Sequence, residues 1–259
     1  MRRRVAVTVG RQQWIAGRYW WVLELLRDLA DRDPNEFHRF LWSHHLAYAE
    51  TYDIAQRFGA ANLHPSRRIF FDDLVAALSA RGKEPAAIRS VFEAGCSLGY
   101  LLRHLETDVF TAAPVLEGND IDRFAVRQGQ DHLNDLGSKV RLHAADLTEL
   151  PRVFAGRRFD VVMAAGVLMY LQEGDARKVV EGLLRGTGSV LALAGLADPD
   201  RDNFELTQSG LRDRDGTFIH NLDRFVADAG GRIISRRWDG ARQVDGNTIY
   251  FVFAEPGSA

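Results

Sequence analysis

One run in the chain restricts its folding more than any other: Ser90-Val91-Phe92-Glu93-Ala94-Gly95-Cys96-Ser97-Leu98-Gly99-Tyr100. A β-branched, apolar segment ends in an acid, passes through a glycine-rich turn and opens into a helical pattern. Such a strand–turn–helix lets backbone approach a ligand closely and aims the unpaired N–H groups of the helix start at it. The acid discriminates between ligands. Glu93 at the mouth of the turn would repel a dinucleotide pyrophosphate, whereas it would hold a ligand carrying an ammonium group. Taken alone the string is a weak signal, because many tight turns contain two glycines.

Three later segments give the turn a context. Residues 115–122 read as a second short strand ending in acids, about a helix length further on. Residues 140–147 repeat the pattern, and residues 159–166 are nearly all apolar, as a strand covered on both faces should be. Acids placed after successive parallel strands project from one edge of the sheet, where open α/β folds bind ligands.

This ordered set resembles the class I S-adenosylmethionine-dependent methyltransferases, over roughly residues 85–256. The resemblance implies an α/β fold, a Rossmann-like seven-stranded and mostly parallel sheet with an antiparallel last strand, preceded here by a mainly helical N-terminal cap. It implies S-adenosyl-L-methionine as cofactor. The family's acidic glycine turn around the methionine part is matched by Glu93, Gly95, Cys96, Ser97 and Gly99. The acid that receives the ribose hydroxyls usually lies inside Gly-x-Asp. Gly118-Asn119-Asp120 matches it, which favours Asp120, followed by Ile121, over Asp122. Asp146 and the Leu147 backbone correspond to the adenine site, and Ala165 begins the segment bordering the methyl-transfer centre. Two departures matter. Ser97 replaces the commonest middle glycine, a change tolerated where φ stays negative, and Tyr170 stands where many small-molecule members carry a histidine.

At 259 residues, with 46% apolar and 26% charged residues, the chain is long enough for one large core or a core with an extension. A net charge of −2 gives no footprint for nucleic acid or an anionic membrane, and no stretch reaches transmembrane length. The lone cysteine, Cys96, excludes an internal disulfide and any multi-cysteine zinc site. Cys96 reads as a buried filler rather than a nucleophile, since no basic partner is adjacent. The Phe70-Phe71-Asp72-Asp73 acids diverge around a helix and do not converge on one ion, so no metal is expected. A cytoplasmic enzyme is the plain expectation.

The turn-rich break at residues 80–85 divides a segment 1–84 from a core 85–259. Within the first part, residues 4–9 read as a strand, and helical runs cover residues 20–30, 36–58 and 71–80. In the core, a helix is expected over 173–185 and a strand over 189–197. A long polar segment, 199–217, has the character of a lid or substrate loop. Asn221 should cap a helix over 222–229, and β runs at 232–238 and 247–254 should flank a turn containing Asp245-Gly246. That closing pair argues against a plain dinucleotide-binding dehydrogenase.

Methyl transfer from a sulfonium requires alignment and a destination for the acceptor's proton. For a hydroxyl acceptor a neutral histidine is the economical base. His220, between the polar segment and its capped helix, is the candidate base. His143, inside the third strand, is a second candidate, though a sheet residue there is the commoner outcome. Tyr170, a poor base at an ordinary pKa near 10, would orient the acceptor. His44 and His45 fall in the N-terminal helical run, where at least one should be solvated. Tyr48 and Tyr52 share a helix face, and the resemblance implies that one of them, Tyr52, closes the cofactor pocket; core packing is the competing reading. The aromatics Trp14, Tyr19, Trp20, Trp21, Phe37, Phe40 and Trp42 read as a packed cap, an acceptor pocket or a homodimer surface. The expected reaction is O-methylation of a small metabolite. N-methylation of a small amine or amino sugar and a non-catalytic methyltransferase-like module stand as alternatives.

Overall fold

The computed structural model describes residues 1–12, 17–46, 54–59, 63–212 and 215–257. The apolar runs pair side by side. β1 (Ser90–Ala94), β2 (Val115–Asp120), β3 (Arg141–Ala144), β4 (Phe159–Ala165) and β5 (Thr187–Gly195) form the parallel part of a sheet. A small hairpin, β6 (Gly210–Arg212) with β7 (Thr217–Ile219), stands apart from it, and β8 (Gly231–Val244) and β9 (Asn247–Pro256) complete the sheet. The order is β3-β2-β1-β4-β5-β9-β8, with β9 antiparallel to both of its neighbours.

β4, β5 and β9 carry long apolar runs because both of their faces are covered. Edge strand β8 instead exposes arginines, which discourages pairing with another chain. Asp245 and Gly246, at φ 50° and 79°, make the two-residue turn that matches strand twist between β8 and β9.

Helices α1 (Arg2–Gly10), α2 (Arg18–Arg32), α3 (Pro34–Ser43), α4 (Ile54–Phe58) and α5 (Pro65–Ala80) precede the sheet. α6 (Tyr100–His104), α7 (Arg123–Asp135), α8 (Leu150–Phe154) and α9 (Glu173–Arg185) join its parallel strands, and α10 (Leu222–Asp228) leads into β8. The Asn221 carboxamide accepts from the Arg224 N–H at 2.8 Å, the cap its sequence position suggested. Among the described residues no helix is long and apolar enough to cross a membrane.

Three apolar clusters organise the packing. One covers the sheet face under α5 and α6, and a second covers the opposite face under α8, α9 and α10. The third, built from Ala6, Val22, Leu26, Leu29, Phe37 and Leu41, holds α1, α2 and α3 together. α5 belongs to the sheet rather than to this cap, since Phe70 packs on Phe251 and Phe253 at 5.1 and 5.5 Å between ring centroids. Apolar packing therefore changes partner before α5 and not at residue 84.

Two other expectations for the N-terminal part are corrected. Residues 4–9 form part of helix α1 instead of a strand, because Ala6 and Gly10, one turn apart, let it pack closely on its neighbours: a Cβ at Gly10 would meet Leu46 at 2.5 Å. The helical run expected over 36–58 ends at Ser43. His45 adopts φ 58°, and the His45 and Leu46 N–H groups return to the Trp42 and Leu41 carbonyls at 3.1 and 2.9 Å. That is a Schellman ending with histidine where glycine is usual.

The Tyr250 hydroxyl anchors α10 to the sheet. It accepts from the Leu222 and Asp223 N–H groups at 2.8 and 3.1 Å and donates to the Asp223 carboxylate at 2.7 Å, all in the buried interior. Tyr250→Phe removes one oxygen and leaves three buried groups short of a partner. Urea denaturation should show a loss of about 2–3 kcal/mol.

Candidate functional site

The β1–β2 register sets Glu93 opposite Gly118 and Ala94 opposite Asn119, so the ends of the two strands meet at one edge of the sheet. The chain leaves β1 through Gly95 at φ 75°, and the Gly95 and Cys96 N–H groups donate to the Asn119 carbonyl at 2.8 and 3.0 Å. Gly118 makes room for this return: a Cβ there would lie 2.8 Å from the Cys96 Cβ and 2.9 Å from the Glu93 carbonyl oxygen. Cys96 fills that space and belongs to the sheet core, and burial pushes its thiol pKa up, the character of a filler. Ser97 departs from the expected negative φ. It sits at φ 50°, held there by its N–H, which donates to Asp120 Oδ2 at 2.8 Å.

Two carboxylates converge behind this turn. Glu93 is 2% exposed, and its Oε2 has no hydrogen-bond partner. Burial pushes its pKa up to about 8; the Arg67 charge opposes the shift and the Asp120 charge adds to it. Asp120 is raised to about 6, chiefly by burial, against the stabilising N–H groups of Asp122 and Ser97. A buried acid with an orphaned oxygen is costly unless a cation completes it. The ammonium of the methionine part of S-adenosylmethionine is such a cation, so this donor set fits the cofactor. The Asp120 oxygens accept from the Ser97 and Asp122 N–H groups, both at 2.8 Å, and the residue lines the cavity.

Asp122 is excluded from that role by its own work. Its Oδ1 caps α7 through the Phe124 and Ala125 N–H groups, both at 3.0 Å, and its Oδ2 meets His45 Nδ1 at 2.6 Å. His45 is therefore a tie between the cap and the core rather than a solvated residue. Asp146 caps the turn that follows β3, accepting from the Thr148 N–H at 2.9 Å, while its Oδ2 pairs with Arg39 at 2.9 Å.

Asp120, Ile121, Asp146 and Leu147 line one side of a cavity of about 160 Å³, with Gly95, Ser97, Gly166 and Val167. Glu93, Cys96, Gly99 and Ala165 lie behind this wall, and the Ala165 carbonyl accepts from Arg67 Nη2 at 3.2 Å. Tyr170, Leu171, Asp175 and Val179 continue the lining.

The remaining wall is α3. Asp33 caps this helix, accepting from the Glu36 N–H at 2.9 Å, with Pro34 at its first position. Phe37, Phe40 and Leu41 face the apolar cap, while Asn35, His38, Arg39 and Trp42 face the cavity at i, i+3, i+4 and i+7 spacing. His38 is 5% exposed, and burial pushes its pKa down. The Tyr170 ring contacts both His38 and Trp42, with centroids 5.0 and 5.2 Å away. Sequence reasoning missed His38 because it lies outside the strand–acid pattern. Its signal was the polar and aromatic stripe at helical spacing, complementary to the phenylalanine stripe.

The other histidine candidates are placed elsewhere. His220, expected as the base, is 3% exposed and does not line the cavity. Its Nε2–H donates to the Leu168 carbonyl at 3.0 Å and its Nδ1 accepts from Ser209 Oγ at 2.7 Å. With both nitrogens engaged it positions the Leu168–Tyr170 turn and has no site left for an acceptor's proton. His143 pairs with Glu117 at 3.1 Å beside Arg157, away from the cavity. The 199–217 segment is no open loop: its β6–β7 hairpin is held by Ser209–His220 and by the contact of His38 with Gly216. Tyr48, Tyr52 and Trp14 lie outside the described residues, as does the Tyr19 side chain.

The chain matches a methyltransferase-domain family model over residues 91–188. No curated protein matches it. Among solved structures it resembles magnesium protoporphyrin IX methyltransferase from Synechocystis PCC 6803 with bound S-adenosylmethionine, at 18% identity and TM-score 0.59, covering 87% of this chain and 98% of that one. It also resembles 1,6-didemethyltoxoflavin-N1-methyltransferase from Burkholderia thailandensis, at 14% identity and TM-score 0.57, covering 90% of each chain. A third similar structure is a SAM-dependent methyltransferase from Aquifex aeolicus, at 18% identity and TM-score 0.52, covering 80% of this chain and 95% of that one.

A non-glycine residue at positive φ costs about 1 kcal/mol. Ser97→Gly should accordingly raise the unfolding free energy by about that amount, read from urea denaturation. Glu93 generates a pH dependence. A carboxyl whose folded pKa is raised binds a proton on folding, so its stabilising contribution is present below its ordinary 4.5 and lost as pH rises through about 8. The ligand-free thermal midpoint should therefore fall across that window, and Glu93→Gln should flatten the slope. Over the same window S-adenosylmethionine should protect the wild type increasingly, and the variant much less.

Proposed function

We propose that this chain, whose residues 91–188 match a methyltransferase-domain family model and whose fold is similar to that of S-adenosylmethionine-dependent methyltransferases, methylates a hydroxyl oxygen of a small-molecule metabolite. The observation that carries this reading is Glu93, a buried carboxylate with one oxygen unpartnered at the head of a glycine turn. Glu93 holds the cofactor's ammonium, Asp120 its ribose hydroxyls, and Asp146 with Leu147 the adenine. Because Asp146 Oδ2 is paired with Arg39, the adenine amino group competes with that pair or shares it. When bound, S-adenosylmethionine supplies an electrophilic methyl group on a sulfonium sulfur.

Support for a small acceptor comes from the rest of the cavity. Trp42, Tyr170, Leu171 and Val179 provide apolar contact, and Asn35, His38 and Asp175 are the polar groups that would fix orientation. Two fold neighbours are named for methylating small molecules, magnesium protoporphyrin IX and 1,6-didemethyltoxoflavin. A second reading, N-methylation, is favoured by Asp175, whose carboxylate in the lining suits a cationic amine.

Calorimetric titration with S-adenosylmethionine and S-adenosylhomocysteine tests the cofactor half of the reading, and it fails if neither binds at millimolar concentration. Charge-assisted hydrogen bonds from two ribose hydroxyls are each worth about 1.5–3 kcal/mol. Asp120→Ala should therefore weaken binding at least about tenfold and also lower the thermal midpoint, because the Ser97 and Asp122 N–H groups lose their acceptor, whereas Asp122→Ala should lower the midpoint with little change in affinity. Binding without methylation of any hydroxyl or amine in a metabolite panel would favour the non-catalytic module instead.

A further inference from the structure

We propose that His38 receives the proton of the acceptor hydroxyl on its Nδ1 atom; the role rests on the hydroxyl-methylation reading above. His38 stands on the cavity wall between Asn35 and Trp42, and its Nε2 lies 2.9 Å from the Gly216 carbonyl oxygen. A carbonyl only accepts, so Nε2 carries the hydrogen. In the neutral ring the lone pair is then on Nδ1, which has no partner among the described residues. Packing fixes the ring. Phe37 meets it edge-on at 5.1 Å between centroids, and Tyr170 flanks it at 5.0 Å.

The surroundings suit a group that starts neutral and ends charged. Burial keeps the imidazole unprotonated near neutral pH, while the Asp215 charge acts in the opposite sense and favours the imidazolium. Asp215 is itself held ionised by Arg212 and Thr217. The Gly216–His38 contact therefore resembles the orienting half of a catalytic triad: a fixed acceptor sets the tautomer, and a nearby carboxylate steadies the developing charge.

The step balances simply. The acceptor oxygen forms a bond to the methyl carbon as the carbon–sulfur bond breaks and its electron pair returns to sulfur. The oxygen's proton passes to His38 Nδ1, giving an imidazolium that later releases it to water.

Two measurements on the full chain test this. The first is a long-range ¹H–¹⁵N spectrum of labelled protein with S-adenosylhomocysteine, in which His38 is identified by its loss in His38→Gln. A neutral ring with Nε2–H and bare Nδ1 at pH 7 is expected; the opposite tautomer, or an imidazolium, overturns the proposal. The second compares two probe acceptors, phenol, protonated at neutral pH, and 4-nitrophenol assayed at a pH where it is largely ionised. His38→Gln keeps an amide N–H for the Gly216 carbonyl but has no base. It should lose about 10²–10⁴ in rate with phenol and much less with the nitrophenolate, with S-adenosylmethionine affinity unchanged. Equal losses with both probes, or none with phenol, sink the base role while leaving the methyltransferase reading intact. If the wild type binds the cofactor but methylates neither probe, the hydroxyl reading fails and His38's role fails with it.

Discussion

The end of β2 holds the site together. The Asn119 carbonyl takes the Gly95 and Cys96 N–H groups, and the Asp120 carboxylate takes those of Ser97 and Asp122. Two loops from different strands thus hang on two consecutive residues. A one-residue slip of β2 against β1 would turn Asp120 to the other face of the sheet and strip the glycine turn of its acceptors. Gly118 permits the arrangement, since any side chain there would collide with the returning backbone.

The site is expensive in free energy, and the expense is local. Glu93 and Asp120 are carboxyls whose burial raises their pKa values, Ser97 sits at positive φ, and Asn119 Oδ1 is buried without a partner. Each of these features costs of order 1–3 kcal/mol. They cluster at the carboxyl edge of the sheet, where the cavity opens. The interior below is conventional: apolar central strands, two covered faces and side-chain caps on α7 and α10. Stability is supplied by the sheet and consumed at its edge.

α3 gives the N-terminal cap its purpose. One face joins the apolar cluster with α1 and α2, and the other walls the cavity with Asn35, His38, Arg39 and Trp42. Long-range contacts from α3 fix it over the core, Asn35 to Asp175 and to the Gln172 N–H, His38 to Gly216 and Arg39 to Asp146, and His45 just beyond its end ties to Asp122. The buried histidines occupy complementary positions. His220 ties the Leu168–Tyr170 turn to Ser209 with its two nitrogens, whereas His38, on the cavity wall, uses Nε2 for the β6–β7 hairpin.

Local pattern sufficed for the strands, the acids that end them, the Asp245–Gly246 turn, the Asn221 cap and the glycine turn, because each is decided by residues within a few positions of one another. The resemblance favoured Asp120 over Asp122; in the fold Asp120 lines the cavity, whereas Asp122 caps α7. Other features depend on partners far away in sequence. Residues 4–9 alternate like a strand, yet they pack as a helix because Ala6 and Gly10 fit against α2 and Leu46. His220 looked free beside a polar loop until Ser209 and Leu168 claimed its nitrogens, and the stripe that carries His38 showed a helix face but not that a cavity lies against it. A histidine's chemistry is set by what its two nitrogens touch and by how much water reaches it. Both are properties of tertiary contact, so the sequence determined the sheet and its acids, while only the folded chain decided which histidine lines the cavity.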